Sequence, residues 1–324
     1  MNKQAPSLQK RTKNMDRALL VRLLGEKPAK QETQTTYSLA PLKQENGYRY
    51  TEVSYQACDG EMVQALLLIP DGLDIATDEK HPVIIAHHQH GGRYDAGMLE
   101  PAGLYENPAN TFALTLCKAG FIVLCPEQIG FGRRREKLSD GQYMNGRDNE
   151  RWLFIQYYLK NRTLLGKCLF DMECAMDMLE QLPFVDKERI GICGHSMGGL
   201  IAYWFGWYEK RIKAIASVCG FSSLALLQQR HLNHTFTMYL PGILNYGDTP
   251  DLLDGICPKP LYLTFGAEDR IFPVDASLDI CRKAQSIYTQ QEASNQCIAE
   301  VTEDGHIFTE EKQSRAAEFF RRFL

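Results

Sequence analysis

The segment from Arg189 to Leu200, RIGICGHSMGGL, sets Ser196 at the centre of a G-x-S-x-G pattern. A four-residue apolar run ends at Cys193, and an apolar-rich helix pattern begins at Leu200. Strand, sharp turn and helix in that order are what a nucleophile elbow requires. The turn holds its serine at positive φ, and Gly194 and Gly198 leave room for the neighbouring strand and helix. A serine hydroxyl is a weak nucleophile until a base takes its proton. The base in turn needs a third group to hold its tautomer. The chain is therefore read for a base, an acid and an oxyanion hole.

On an elbow of this kind the partners follow in chain order, serine, then Asp or Glu, then His. One histidine lies beyond position 234, namely His306 in TEDGHIF, a Gly-containing loop directly after a strand pattern. His306 is the candidate base. Asp304 is too close in sequence to orient it. The acid is sought after the preceding strand, Leu261 to Phe265, which runs into GAEDRIFP. Asp269 is favoured because it stands just before the Ile-Phe-Pro that leads into the next helix. Glu268 and Asp275 remain alternatives, with helix capping or surface pairing as their ordinary roles. One oxyanion donor is the amide of Met197, the residue after the nucleophile. The second comes from the loop after an early strand, His87 to Gly92 (HHQHGG), where Gln89 or His90 is the donor.

Other histidines are weighed as ligands. His88 and His90 have the i, i+2 spacing of a metal clasp on an extended chain, but no carboxylate or cysteine beside them supplies a third ligand. His231 and His234 lie in a segment without a helical-face partner, so they read as pocket-lining or surface residues. With His234, Phe236 and Tyr239 are candidates for the pocket wall, as are Leu240 and Leu244. No metal site and no cofactor are expected, since the glycine patterns that cradle nucleotides are absent.

These residues need elements to position them. Met15 to Leu24 has helical spacing, ended by Gly25 and Pro28, and Lys27 to Asn46 reads as a polar surface linker. Tyr48 to Tyr55 and Met62 to Ile69 read as strands of a hairpin turning at Cys58-Asp59-Gly60. The pattern then alternates. Strands are expected at Val83–Ala86, Phe121–Cys125, Ile190–Cys193, Ile212–Cys219, Pro260–Phe265 and Cys297–Val301. Helices fall between them at Thr111–Lys118, Leu165–Leu179, Leu200–Trp207 and Ser277–Tyr288, with Lys312–Phe323 last. Alternation of this kind implies a mostly parallel sheet with helices on both faces, and a ligand site outside the carboxyl ends of its strands. Residues 1–47 form an arm and helix, and residues 48–324 the main domain. Two stretches, about 130–160 and 221–259, follow strand ends and read as cap-like insertions.

The composition of the 324 residues is that of an ordinary globular protein, with a net charge of −4 that excludes a polyanion-binding face. Ten cysteines are scattered, many inside apolar runs, which suits buried thiols better than a disulfide framework. No signal-peptide core or membrane span is seen, so the expectation is a cytoplasmic protein that binds neither nucleic acid nor membrane. The N-terminal arm has two available packings, on its own chain or on a neighbour in an oligomer.

At these residues the chain resembles the α/β-hydrolases, and within them the dienelactone hydrolase and acetyl xylan esterase-like branch. The resemblance covers roughly residues 50–324. It rests on VIIAHHQHGG, FIVLCPEQIGFGRR, GICGHSMGG, LTFGAEDRIFP and DGHIF. It implies an α/β-hydrolase fold, Ser196, Asp269 and His306 as nucleophile, acid and base, and amides near Gln89 and Met197 as the oxyanion hole. Dienelactone hydrolases proper carry cysteine where this chain has Ser196, so the serine esterases of the branch are the nearer match. The expected activity is cleavage of a small-molecule carboxylic ester, possible short-acyl or acetyl esters included. The alternatives are an amide substrate, as in prolyl oligopeptidase-like peptidases, or a thioester. A hydrolase-fold binding protein without turnover ranks last, because all three positions are filled in order.

Overall fold

A computed structural model describes residues 16–29, 34–106 and 110–324. The polar arm expected over residues 1–16 lies, apart from Asp16, outside them. Helix α1 (Arg17–Leu23) begins where the Asp16 carboxylate accepts from the Ala18 N–H at 3.1 Å. The stretch read as a linker is corrected in part. Its described residues include strands β1 (Tyr37–Leu39) and β2 (Lys43–Glu45), both antiparallel to β3 (Tyr48–Gln56). They are mostly exposed edge strands held by backbone pairing, so no apolar alternation marks them in the sequence.

β3 turns back into β4 (Met62–Pro70), and β5 (His81–His87) opens the alternating part of the chain. It continues as α2 (Phe112–Lys118), β6 (Ile122–Pro126), α3 (Gly146–Leu159), α4 (Leu164–Leu179), β7 (Val185–His195) and α5 (Met197–Tyr208). Then come β8 (Ala214–Val218), α6 (Leu224–Gln229), α7 (Leu253–Ile256), β9 (Leu261–Gly266), α8 (Val274–Gln290), β10 (Cys297–Thr302) and α9 (Glu310–Phe323). The sheet runs β1-β3-β4-β6-β5-β7-β8-β9-β10, with β2 beside β3. From β6 to β10 every pairing is parallel, and β4 joins β6 antiparallel. This is the α/β-hydrolase arrangement, a mostly parallel mixed sheet with helices on both faces.

Alternation along the central strands builds two cores. Val83 and Ile85 of β5 face one side with Leu169, Met172 and Met176 of α4 and Leu200 to Phe205 of α5. Ile84 and Ala86 face the other with Phe112 and Leu116 of α2 and Phe319 and Phe320 of α9. Burial on both faces is why these strands read as continuous apolar runs. The ten cysteines are free thiols, nine of them buried. Among the described residues no helix is long and apolar enough to cross a membrane.

The stretches read as insertions sit at the carboxyl end of the sheet. The first contains α3, which packs against the single turn Phe236–Met238 of the second. Phe154 of α3 meets Phe236 at 4.8 Å between ring centres. Arg134, Lys167 and Asp171 are buried, and the two cations also pair with the more exposed Asp59 and Glu61, tying the β3–β4 turn and the segment after β6 to α4.

Candidate active site

β7 ends at His195 and α5 starts at Met197, so Ser196 alone makes the turn, at φ 55° and ψ −123°. The glycines around it have no room for a side chain. A Cβ on Gly194 would stand 2.2 Å from the Gly198 carbonyl oxygen, and one on Gly198 would stand 2.0 Å from that of His87. The elbow is therefore pressed directly against the end of β5. Gly198→Ala is expected to push those backbones apart and cost about 1–3 kcal/mol of stability. It should also lower turnover by about a hundredfold, through displacement of the loop after β5. Chemical denaturation together with steady-state kinetics measures both losses.

The parallel register sets the three predicted residues at adjacent strand ends. Asp269 follows β9 and His306 follows β10, on neighbouring loops. His306 Nε2 lies 2.8 Å from Ser196 Oγ, and its Nδ1 lies 2.7 Å from Asp269 Oδ2. The other Asp269 oxygen accepts the N–H groups of Ile271 and Phe272, at 2.7 and 3.1 Å. Burial pushes the Asp269 carboxyl up, but the hydrogen bond and charge of His306 and those two amides outweigh it and leave the group below its usual range. The other acid candidates stand apart from His306. Asp275 pairs with Arg230, and Glu268 contributes its backbone N–H to the Asp304 carbonyl. Asp304 itself pairs with Lys312.

Met197 is the first residue of α5, so its N–H has no carbonyl one turn back within the helix. The contact of Gly198 with the His87 and His88 carbonyls brings the HHQHGG loop alongside that amide. The Gln89 side chain turns inward. Its Oε1 accepts from His195 Nδ1 and from Asn110 Nδ2, and its Nε2 donates to Glu100 at 3.0 Å. Gln89 thus joins the loop to the residue before the elbow serine. His195 is buried 5.2 Å from the His306 ring. Burial first, then the nearby His306 and Lys312, hold it far below the usual histidine range, so it stays neutral behind His306.

His88 and His90 do not converge on one point. His88 Nδ1 meets the Gln89 carbonyl at 2.9 Å and its Nε2 accepts the Gln128 N–H at 3.2 Å, with the buried Glu127 carboxylate 3.0 Å away. His90 turns instead to Glu150. His234 packs face to face on Phe272, which meets His306 edge-on, so His234 belongs to the wall beside His306. Burial, with help from His306 and His90, brings its pKa down to about 4. Its N–H donates to the Tyr239 hydroxyl at 2.7 Å. Tyr239 lines a cavity of about 570 Å³ together with Leu240 and Leu244. Ser196, Asp269 and His306 do not line that cavity, and neither does Phe236, which packs on α3 instead.

Two residues were not singled out from the sequence, Glu127 and Glu150. Glu127 fills the space that the Cα atoms of Gly97 and Gly132 leave open. Phe131 of the GFGRR segment packs on His88, Tyr94 and His90, which gives that segment a place beneath the loop. Glu127 directly after a strand, and Glu150 in the early turns of α3 ahead of its aromatic residues, carry no local signal of such contacts.

Fold and site together define an α/β-hydrolase. The family model described as "Dienelactone hydrolase family" matches residues 98–318. The chain belongs to the dienelactone hydrolase family, and with it to the carboxylic ester hydrolases. It is similar to "Putative hydrolase YtaP" of Bacillus subtilis, 26% identical over 322 residues, 95% of this chain and 98% of that one. Among solved structures, a glucuronoyl esterase from Solibacter usitatus superposes with a TM-score of 0.65 at 16% identity, over 95% of this chain and 92% of its own. An acetyl xylan esterase from Paenibacillus sp. R4 gives 0.62 at 17%, over 97% and 96%. At those identities the likeness is one of fold.

Proposed function

We propose that the protein cleaves short-acyl esters, acetyl esters among them, through an acyl-enzyme formed on Ser196. The observation that carries this reading is the hydrogen-bond chain from Ser196 Oγ through His306 to Asp269, 2.8 and 2.7 Å long. Asp269 accepts from Nδ1–H of His306, which leaves Nε2 free to take the serine proton. Ser196 Oγ attacks the acyl carbon, and the tetrahedral oxygen is held by the Met197 amide and an amide of Gln89 or His90. His306 returns the proton to the leaving alcohol, and water releases the acid by the same steps in reverse.

Support for an uncharged acyl group comes from the wall. His234 is held neutral there, and Phe272 and Thr235 stand close by. Sugar esters, named for the glucuronoyl and acetyl xylan esterases of similar fold, are a first set of substrates to try.

A fluorophosphonate probe is expected to modify the wild-type protein on the peptide containing Ser196. Turnover should be higher for p-nitrophenyl acetate than for the octanoate, for an aminoacyl p-nitroanilide and for an acyl-CoA. Labelling elsewhere, or preferred cleavage of the anilide, overturns the reading.

A further inference from the structure

Glu150 lies in α3, in the first of the two insertions, with its side chain 12% exposed. Its carboxylate receives four donors. His90 Nε2 and the Tyr94 hydroxyl meet Oε2 at 3.0 and 3.1 Å. The Thr235 hydroxyl and the Phe236 N–H meet Oε1 at 2.6 and 2.9 Å. The His90 tautomer follows from its other nitrogen, since Nδ1 accepts the Gly92 N–H at 3.1 Å and the proton therefore sits on Nε2. Two donors on each oxygen match an ionised carboxylate and mismatch an amide. Burial pushes the Glu150 carboxyl up, but the bonds from His90, Thr235 and Phe236 outweigh it and leave the group below its usual range.

The donors come from two separate parts of the chain. His90 and Tyr94 belong to the loop after β5, the loop that carries the Gln89 and His90 amides. Thr235 and Phe236 belong to the second insertion, where Thr235 Oγ1 stands 3.5 Å from Met197 Sδ. One carboxylate on α3 thus joins both sides of the site.

We propose that Glu150 is a positioning residue for ester hydrolysis, fastening the oxyanion loop to the second insertion above Ser196. This rests on the reading of Ser196 as nucleophile. A loop held by its own side chains presents its amide where tetrahedral charge develops, without reorganising as the reaction proceeds. A loosened loop loses transition-state stabilisation more than ground-state binding, so the effect falls on kcat.

The test is Glu150→Gln on p-nitrophenyl acetate, with kinetics normalised to the sites titrated by a fluorophosphonate. Ser196→Ala is run in parallel. The kcat per titrated site is expected to fall by about tenfold to a hundredfold while KM stays within about threefold. The affinity of a boronic acid that mimics the tetrahedral adduct should fall in proportion to kcat. Thr235→Val and Tyr94→Phe, each removing one donor from opposite sides, should lower kcat by smaller factors in the same direction. They also stand as the test if Glu150→Gln does not fold. A wild-type kcat in these variants, or a rise in KM alone, overturns the proposal while inactive Ser196→Ala preserves the nucleophile reading. Retained activity in Ser196→Ala overturns the nucleophile reading instead.

Discussion

Ser196→Ala is expected to lower ester turnover by about 10⁶ while leaving the melting temperature within a few degrees of wild type. The first figure follows from how such triads behave. Removing the nucleophile costs about as much as removing all three members, and what survives comes from the oxyanion hole and binding. The second follows from the local structure. Alanine keeps the Cβ, so the strain at φ 55° is already present in the wild type. Among the described residues, the side-chain hydrogen bond deleted is the one to His306 Nε2. The backbone bond from the Ser196 N–H to the Val218 carbonyl, at 2.9 Å, does not depend on the side chain. Active-site kinetics and a thermal melt on the same preparation make the comparison. Turnover reduced by less than about a hundredfold would mean that another group attacks the ester.

The largest expected loss of stability lies away from the site. Arg134 is 8% exposed and spends its whole guanidinium on the protein. Nε and Nη2 grip both oxygens of Glu61 at 2.8 and 2.7 Å, Nη2 also meets Asp171 at 2.7 Å, and Nη1 donates to the Glu127 carbonyl at 2.8 Å. Lys167 supplies the second cation, within 2.9 Å of Asp59, Glu61 and Asp171. Two cations thus serve three carboxylates. Arg134→Met fills similar volume but leaves Asp171, itself 3% exposed, with Lys167 as its remaining cation among the described residues. Breaking a buried pair by removing one partner costs about 3–5 kcal/mol, because the other charge stays desolvated. Urea unfolding should report a loss of that size. A midpoint shift worth less than about 1 kcal/mol would mean that water reaches the carboxylates and the cluster behaves as a surface network. Activity should fall less than stability, since Arg134 touches the site only through the Glu127 carbonyl beneath His88.

Much of the site was legible because its parts are local. The elbow is a run of five residues whose glycines answer a steric need inside that run. His306 is the last histidine, in a glycine loop after a strand, and Asp269 was ranked above Glu268 and Asp275 from its place before Ile-Phe-Pro. The structure brings Asp269, rather than the other two, against His306. The edge strands β1 and β2 were illegible. Their pairing is made by backbone groups, and exposed strands carry no apolar alternation. The pocket residues separate for a similar reason. His234, Phe236 and Tyr239 are near one another in sequence but face Phe272 beside His306, α3 and the Leu-lined cavity respectively.

The sequence by itself determined the alternating elements, the elbow, and the places of Ser196, Asp269 and His306 after β7, β9 and β10. Period-two and helical apolar patterns and turn glycines act over a few residues, so they can be read in place. The tertiary structure alone decided which distant groups meet. Glu150 is 60 residues from His90 and 85 from Thr235, and Arg134 is 73 from Glu61. Such pairings depend on how helices and loops stack at the end of the sheet. A polar side chain buried by that stacking must find its partners among whatever arrives beside it. Ser196 could be found from its neighbours in the chain, whereas the residues that hold its surroundings had to be found from their neighbours in space.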